Sequence, residues 1–349
     1  MIFLSAEELV TARVIPSSSR VSIVGVGGAG NNLLTRAIDA GVNPSDCVAV
    51  NTDRGQLSRS PADNKVLLDG EQAQGASSST QTIDYRRVRQ LTAHRVKPFV
   101  ETSDYTILLA GLGGDTATEA APAIAQCTRT SIRPVVSVVA IPFIHERERR
   151  FIALRGLKHM VDACDCTIVI DNAMDYDHSH SNSLQADQKA STAVQFLTEL
   201  FSGIERALVP EALGIMALGP IASACSTETA PGEMVQRAVI RALRTPSASL
   251  PLAKTAGAIL LHRGPVSMKD GEAQQAYETL TSLIGKDIAF LHTSVRSSSQ
   301  SVCLLLTGYD YGTAVRAFVD FIEDLYDVEY EQVKGDSLSG FRMPLFQME

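Results

Sequence analysis

Four glycines in residues 21–32 have the spacing of a turn that binds phosphate. They follow β-branched residues of a predicted buried strand and precede apolar residues with helical spacing: Gly25, Gly27, Gly28 and Gly30. A turn without Cβ atoms lets a ligand approach the backbone, and the N–H groups and positive dipole end of the following helix favour an anion. Phosphate binding is therefore the chemistry that this segment predicts.

The same glycines allow two other interpretations. Gly25, Gly27 and Gly30 fit the dinucleotide pattern GxGxxG, and Asp53 follows at about the distance of a ribose-binding acid. This alternative predicts an NAD-dependent oxidoreductase. In the other interpretation, the glycines serve only close packing of strand against helix. The residues of this segment leave all three readings open.

A second strand–glycine–helix unit follows later in the chain. The apolar run Tyr105 to Ala110 predicts a strand, Gly111 to Thr116 forms a second glycine-rich turn, and Thr118 to Cys127 has helical spacing. An ordinary dinucleotide-binding domain does not require a second turn of this kind. The repetition therefore favours a ligand held between two turns.

The first half of the chain alternates predicted strands with predicted helices. This alternation indicates a parallel, doubly wound α/β sheet, which would bring both turns to one edge. Besides the segments already named, the predicted strands are Cys47–Val50, Val66–Leu68, Val135–Ile141 and Thr167–Ile170, and the predicted helices are Tyr85–Val100 and Glu146–Ala163.

The second half begins with a long helix over Ala186 to Leu208, which we expect to form a spine between two domains. The strands beyond it lack glycine-rich turns, which suggests a supporting domain. Its predicted strands are Leu213–Leu218, Ala256–Leu261, Ile288–Thr293 and Val302–Thr307, and its predicted helices are Gly232–Leu243 and Gly271–Ile284.

With 349 residues, 45% of them hydrophobic, the chain is long enough for about two domains. The predicted organisation is an N-terminal extension (1–19), a Rossmann-like nucleotide-binding domain (20–183), the central helix (184–208), a smaller C-terminal α/β domain (209–328) and a tail (329–349).

Charge and cysteine content exclude several classes of function. A net charge of -8 gives no general attraction to nucleic acid or to anionic membranes. Without a signal segment or a run of about 18 apolar residues, we expect a cytoplasmic protein that does not insert into membranes. The six cysteines form no CxxC pair, so they predict buried thiols rather than a zinc or disulfide framework, and no metal ligands are assigned.

Motifs spread over residues 20–313 resemble those of the tubulin superfamily and, within it, the FtsZ family of cell-division proteins. The first turn and the next strand are similar to the first nucleotide loop of that family, and the second turn stands at its glycine-threonine signature. The similar segments are GVGGAGNN (25–32), AVNTD (49–53), GLGGDTATEAAPAIA (111–125), PFIHERERR (142–150), IVIDNA (168–173) and ADQKASTAVQFLTELFSGI (186–204).

The resemblance implies a tubulin/FtsZ-like fold that binds GTP or GDP. Phosphates would lie on the first turn, at Gly27, Gly28, Ala29, Gly30 and Asn31, and on the second, at Gly113, Gly114, Asp115 and Thr116. Ribose and the neighbouring phosphate would contact Glu146 and Arg150, and the guanine base would pair with Asn172 and Asp187.

The second turn departs from the family pattern, in which positions 115, 117 and 119 are glycines. Asp115 and Glu119 would bring two carboxylates towards an anionic ligand. A pair of unit charges about 4 Å apart interacts with about 1 kcal/mol in water and about 4 kcal/mol at an effective dielectric constant of 20. We therefore expect weak nucleotide binding, unless magnesium held by Asp115 reverses the sign.

A second departure concerns hydrolysis. In the family, an acidic loop after the central helix completes the nucleotide site of the next subunit. Here the predicted strand at Leu213 begins only about ten residues after Ser202, so the loop and its helix look shortened. The only carboxylates in this interval are Glu205 and Glu211. We expect longitudinal contact with homologous subunits, weak or absent GTPase activity and impaired self-polymerisation. No catalytic residue is assigned.

The resemblance places the protein in cell division or cell-shape control, at the division site. The tail Gly335 to Glu349, with its apolar residues Phe341, Leu345 and Phe346, is a candidate docking peptide for an adaptor. Two alternatives stay open beside the guanine-nucleotide reading: the NAD-dependent oxidoreductase and a scaffold that kept the fold but lost the nucleotide.

Overall fold

The computed structural model describes residues 20–68, 94–130, 133–177, 180–181, 183–202 and 209–318. The N-terminal extension, the tail Gly335 to Glu349 and the loop that contains Glu205 lie outside these ranges.

The first half of the chain forms a parallel sheet, as predicted. Its strands are β1 (Val21–Val26), β2 (Cys47–Asn51), β3 (Asn64–Leu67), β4 (Tyr105–Gly111), β5 (Val135–Ile141) and β6 (Cys166–Asp171). Its helices are α1 (Gly27–Asp39), α2 (Arg54–Arg59), α3 (residues 94–100), α4 (Asp115–Thr128) and α5 (Arg147–Ala163). The part of the predicted helix Tyr85–Val100 that precedes residue 94 lies outside the described ranges.

Beyond β6, two short strands, β7 (Tyr176–Asp177) and β8 (His180–Ser181), pair with each other. The central helix follows as α6 (Ser183–Ser202), and its predicted core residues are buried. The second half contains α7 (Val209–Met216), β9 (Ile221–Glu228), α8 (Val235–Ala242), β10 (Gly257–Gly264), α9 (Asp270–Ile284), β11 (Ala289–Arg296), β12 (Ser301–Tyr309) and α10 (residues 311–318).

One prediction for the second half is wrong. The apolar run Leu213–Leu218 is not a strand, because Val209–Met216 folds as α7 and the strand starts at Ile221. Pro210 stands in the first turn of α7, where its missing N–H is tolerated, and Ala, Leu and Met favour the helix. A helix of eight residues therefore follows the central helix, and whether this connection is shortened relative to the family stays a prediction.

All ten long strands belong to one sheet, in the order β11-β10-β12-β9-β6-β5-β4-β1-β2-β3. The two halves join where β6 pairs with β9 in parallel over only two residue pairs, Thr167 with Ile221 and Ile168 with Ala222. Buried residues on one face pack against α1, α6 and α7, and those on the other face pack against α4, α5, α8 and α9. The doubly wound α/β fold is confirmed, while the domain boundaries stay a prediction.

Candidate functional site

The first glycine turn joins β1 directly to α1. Val26 is the N-cap of α1 and provides no side-chain hydrogen bond to the helix. The first N–H groups of a helix have no acceptor within the helix. Because α1 begins where β1 ends, these groups lie at the carboxyl end of the sheet. Gly28 and Ala29 are exposed there. The backbone therefore presents donors to any anion at this edge.

Glycine is required at two places in this turn. Gly27 has a φ of +71°, in the left-handed region. Gly30 packs so closely on β4 that a Cβ atom there would lie well inside van der Waals contact of the Leu109 carbonyl oxygen. These glycines thus serve packing as well as access to the backbone, which combines two of the interpretations drawn from the sequence.

The second turn joins β4 to α4 and is built in the same way. Gly113 has a φ of +87°, and Gly114 is the N-cap of α4. The N–H of Gly113 donates to the Thr118 hydroxyl at 3.0 Å, so it points into the protein. The first hydrogen bond of α4 runs from Thr118 N–H to the Gly114 carbonyl, which leaves the N–H groups of residues 115–117 ahead of it.

The two turns meet because β1 and β4 are neighbouring parallel strands. The hydroxyls of Thr52, at the end of β2, and Thr116, in the first turn of α4, are 3.0 Å apart. A Cβ atom on Gly27 would lie 3.2 Å from the Cβ of Ala117. Two helix N-termini therefore converge on one place at the carboxyl edge of the sheet.

Amide side chains form hydrogen bonds next to the first turn. Asn31 is buried and donates from its Nδ2 atom to the Val50 carbonyl at 3.0 Å, while its Oδ1 atom has no hydrogen-bond partner among the described residues. Asn51 donates to Gln56, whose Oε1 atom would lie 3.0 Å from a Cβ on Gly28. These amides connect α1 and α2 to the end of β2.

Asp53, the ribose acid of the NAD interpretation, is the N-cap of α2. Its Oδ1 atom accepts hydrogen bonds from the N–H groups of Gly55 and Gln56 at 2.7 and 3.0 Å. Helix capping is therefore a second explanation for an aspartate at position 53, beside the ribose contact of the NAD interpretation.

The loop before α5 lies against the second turn. A Cβ atom on Gly113 would lie 2.7 Å from the Cγ atom of Pro142 and closer still to the Arg149 carbonyl oxygen. Glu146, the N-cap residue of α5, accepts from the Phe143 N–H at 3.1 Å and pairs with Arg149. The carboxylate of Glu146 is thus bound to its own loop.

Arg150 and Arg149 lie in different environments although they are adjacent. The Arg150 guanidinium is 3% exposed and donates to both carboxylate oxygens of Asp171, at 2.7 and 3.3 Å, and to the Pro142 carbonyl at 2.6 Å. The Arg149 side chain is 54% exposed. The assignment of Arg150 to the ligand stays a prediction, and its pairing with Asp171 was not expected from the sequence.

The two residues expected at the base belong to elements that pack against each other. Asn172 follows β6, is half-buried and begins a short 3-10 helix, Asn172–Asp175. Asp187 lies near the start of α6, which packs against this 3-10 helix, but the structure does not describe its side chain.

The residues that replace glycines of the family pattern lie in the first turns of α4. The side chain of Asp115 is not described, Ala117 is buried between the turns, and Glu119 is half-buried one helical turn into α4.

All six cysteines are unpaired; five are buried and Cys127 is half-buried, which confirms the prediction of buried thiols. Burial raises the pKa of Cys47, Cys164, Cys166 and Cys303 to about 12, so these groups stay protonated and unreactive at neutral pH. In the described ranges, no cluster of three His, Cys, Asp or Glu side chains has the geometry of a metal site. None of the helices described is long and apolar enough to cross a membrane.

The chain matches the Tubulin/FtsZ family, GTPase domain, over residues 20–179. It is 31% identical over 271 residues to cell division protein FtsZ 1 of Pyrococcus furiosus, which covers 75% of this chain and 73% of that protein. The chain belongs to the tubulin/FtsZ family. The resemblance seen in the motifs is thereby confirmed, and the family is a GTP-binding one.

Solved structures of the family share the fold. An FtsZ dimer of M. jannaschii without ligand aligns with a TM-score of 0.70 at 26% identity and covers 84% of this chain and 89% of that one. CetZ2 from Haloferax volcanii, solved as a GTPγS-bound protofilament, aligns with a TM-score of 0.69, covering 89% of this chain and 99% of that one. At 18% identity, the second likeness concerns the fold alone.

Proposed function

We propose that this protein is a cytoskeletal guanine-nucleotide-binding protein of cell division or cell-shape control, which associates end to end with homologous subunits. The observation that carries the proposal is the convergence of two helix N-termini, α1 and α4, on one edge of the sheet. Membership of a GTP-binding family and the relatives' printed names, a cell-division protein and a protofilament, support it.

Guanine would be recognised by the pair that the motifs suggest. A carboxylate at Asp187 can accept hydrogen bonds from N1 and N2 of guanine, and the Asn172 amide can serve O6 or N7. The packing of α6 against the Asn172–Asp175 helix supports a shared pocket for both residues. The NAD alternative receives less support, because the position of Asp53 is also accounted for by its role as the N-cap of α2.

We propose that binding is weaker than in a family member with a glycine-rich second turn. Asp115 begins α4 at the place where phosphate would bind, and the Gly113 N–H is already donated to Thr118. Both features reduce what the second turn offers an anion. Magnesium held by Asp115 remains the alternative, and it predicts binding that requires the metal.

Slow hydrolysis follows from the scarcity of acids near α7. Glu211, in the first turn of α7 and half-buried, is its one carboxylate in the described residues 209–220. We propose that α7 takes the place of the helix that follows the acidic loop in the family, although it carries few acids. We propose weak GTP turnover, in which Glu211 of one subunit serves the nucleotide of the next.

Calorimetry with GTP, GDP and NAD, each with and without magnesium, tests the binding. We expect GTP and GDP to bind and NAD to give no heat. Asp187→Ala should weaken GDP binding by at least about tenfold, since a charged hydrogen bond to the base is lost. The matched control is Asp39→Ala, an exposed aspartate at the other end of α1, which should bind GDP as the native protein does. Tight NAD binding without a response to GDP would overturn the proposal.

Phosphate release measured beside pelleting tests the assembly and turnover. We expect little phosphate release from the protein alone and more in a mixture with an FtsZ that supplies its own acids. Glu211→Gln should abolish the remaining release, whereas Glu228→Gln, at the far end of β9, should not change it. Rapid, cooperative turnover by the pure protein would contradict the weak GTPase, and persistence in Glu211→Gln would exclude Glu211.

A further inference from the structure

The Arg149 side chain lies beside the second glycine turn. Its Nε atom donates to the Gly113 carbonyl at 3.4 Å, and its Nη2 atom lies 3.8 Å from where a Cβ on Gly114 would be. Among the described residues, none accepts a hydrogen bond from Nη2. The guanidinium therefore lies beside the N-terminus of α4 with a donor available.

The neighbouring arginine is not free to bind a ligand. Arg150 lies about 100° further round the helix and forms its bidentate pair with Asp171, at the end of β6. Removing one partner of such a buried pair is strongly unfavourable, because it leaves an unpaired buried charge. A phosphate that recruited Arg150 would have to break this pair, so Arg150 acts through the loop it holds.

Arg149, in contrast, has a bond that a ligand can replace at little cost. Its partner Glu146 is three residues away on the same helical turn, and their side chains are 54% and 23% exposed. An exposed pair of this kind contributes little to stability. Arginine binds phosphate through two parallel N–H···O bonds, and the multiple charge of a polyphosphate attracts the guanidinium more strongly than the single charge of Glu146 does.

A cation beside the second turn complements the N–H groups at the start of α4. The N–H groups of residues 115–117 attract an anion, but Asp115 and Glu119 add two negative charges to the same helix, and a guanidinium here opposes them. We infer that Arg149 is a phosphate-binding residue of the nucleotide site: it leaves Glu146 and binds a phosphate at the Gly113–Gly114 turn. This assignment rests on the proposed function, and it moves the role that the motifs gave to Arg150 by one residue.

The test compares GDP with guanosine, which lacks the phosphates, by calorimetry on the full chain. Arg149→Ala should raise the Kd for GDP at least about tenfold and change that for guanosine less than twofold. Arg149→Lys should recover part of the loss, because lysine keeps the charge but not the bidentate geometry. Arg155→Ala, an exposed arginine further along α5, removes the same charge and should bind GDP within twofold of the native protein.

Salt provides a second readout that a merely structural residue would not change. The affinity of the native protein for GDP should fall more steeply with salt than that of Arg149→Ala. Native GDP affinity in Arg149→Ala, or an equal loss for guanosine, would overturn the assignment and leave the proposed function standing. Failure of the native protein to bind either GDP or GTP would overturn the proposed function, and the assignment with it.

Discussion

The turn between β1 and α1 is surrounded by backbone and amide groups, whereas charged groups surround the turn between β4 and α4. Both begin a helix without a side-chain cap and place glycine at a positive φ. Asn31, Asn51 and Gln56 fix the first turn through neutral hydrogen bonds. Near the second turn, Arg149 and Glu146 form an ion pair at the surface, and Arg150 and Asp171 form a buried one. The two turns therefore share a backbone design but differ in the charge of the side chains around them.

The buried pair behind the second turn should give the largest effect when it is broken. Arg150→Met leaves Asp171 buried without its partner, and we expect the free energy of unfolding to fall by about 3–5 kcal/mol. Urea unfolding measures the loss. Combining Arg150→Met with Asp171→Leu should restore most of it, because no buried charge then remains. Arg149→Met is the matched control and should stay within about 0.5 kcal/mol. Equal losses for the two arginines would remove the distinction between them.

The glycines of the two turns give the next largest effects. Gly113→Ala combines a positive φ with close contact to the Arg149 carbonyl and to Pro142, so we expect a loss of about 3 kcal/mol in unfolding free energy. Gly114→Ala should be nearly neutral, since its Cβ would meet only the Arg149 Nη2 atom at 3.8 Å. Thermal melting compares the two variants.

The same experiment on the first turn uses Gly30 and Gly28. Gly30→Ala meets the rigid Leu109 carbonyl and should cost about 2 kcal/mol, whereas Gly28→Ala meets only the end of the Gln56 side chain. If Gly30→Ala were tolerated as well as Gly28→Ala, the close approach of α1 to β4 would not be what requires glycine.

The smallest effect concerns the link between the turns. Thr52 and Thr116 share a hydrogen bond at 3.0 Å near the surface. A double-mutant cycle of Thr52→Val and Thr116→Val should give a coupling free energy below about 1 kcal/mol. A repeat with saturating GDP shows whether nucleotide changes this link. A coupling well above that value without ligand would mean that the turns are joined more tightly than this contact explains.

The sequence was sufficient for the parallel half because its strands are β-branched and apolar over their whole length. Val135–Ile141 was predicted residue for residue, and the strands near both turns differ by a residue or two. The strand Ile221–Glu228 was missed because Ala, Ser and Cys carry little strand preference. Its place between β6 and β12 is decided by tertiary packing.

The parts of the candidate site that the backbone forms were predictable from the sequence. The parts that depend on which charged side chains pair with each other were not. The glycine turns could be read from spacing alone. The environments of Arg149 and Arg150 could not be predicted, because both residues lie in one charged run. Arg150 is buried because the register of β5 with β6 places Asp171 opposite Ile141, where it pairs with Arg150. A carboxylate that ends a buried strand was the available signal.

The narrow join between β6 and β9 has a mechanical consequence. Six residue pairs connect β5 to β6, but two connect β6 to β9. Ser247 reinforces the join, since its carbonyl accepts from the Asp171 N–H at 2.7 Å and its hydroxyl donates to the Val169 carbonyl at 2.6 Å. Bending between the halves of the sheet would concentrate along this line. Because Asp171 also pairs with Arg150, its hydrogen bond to Ser247 connects the second half of the sheet with the loop before α5.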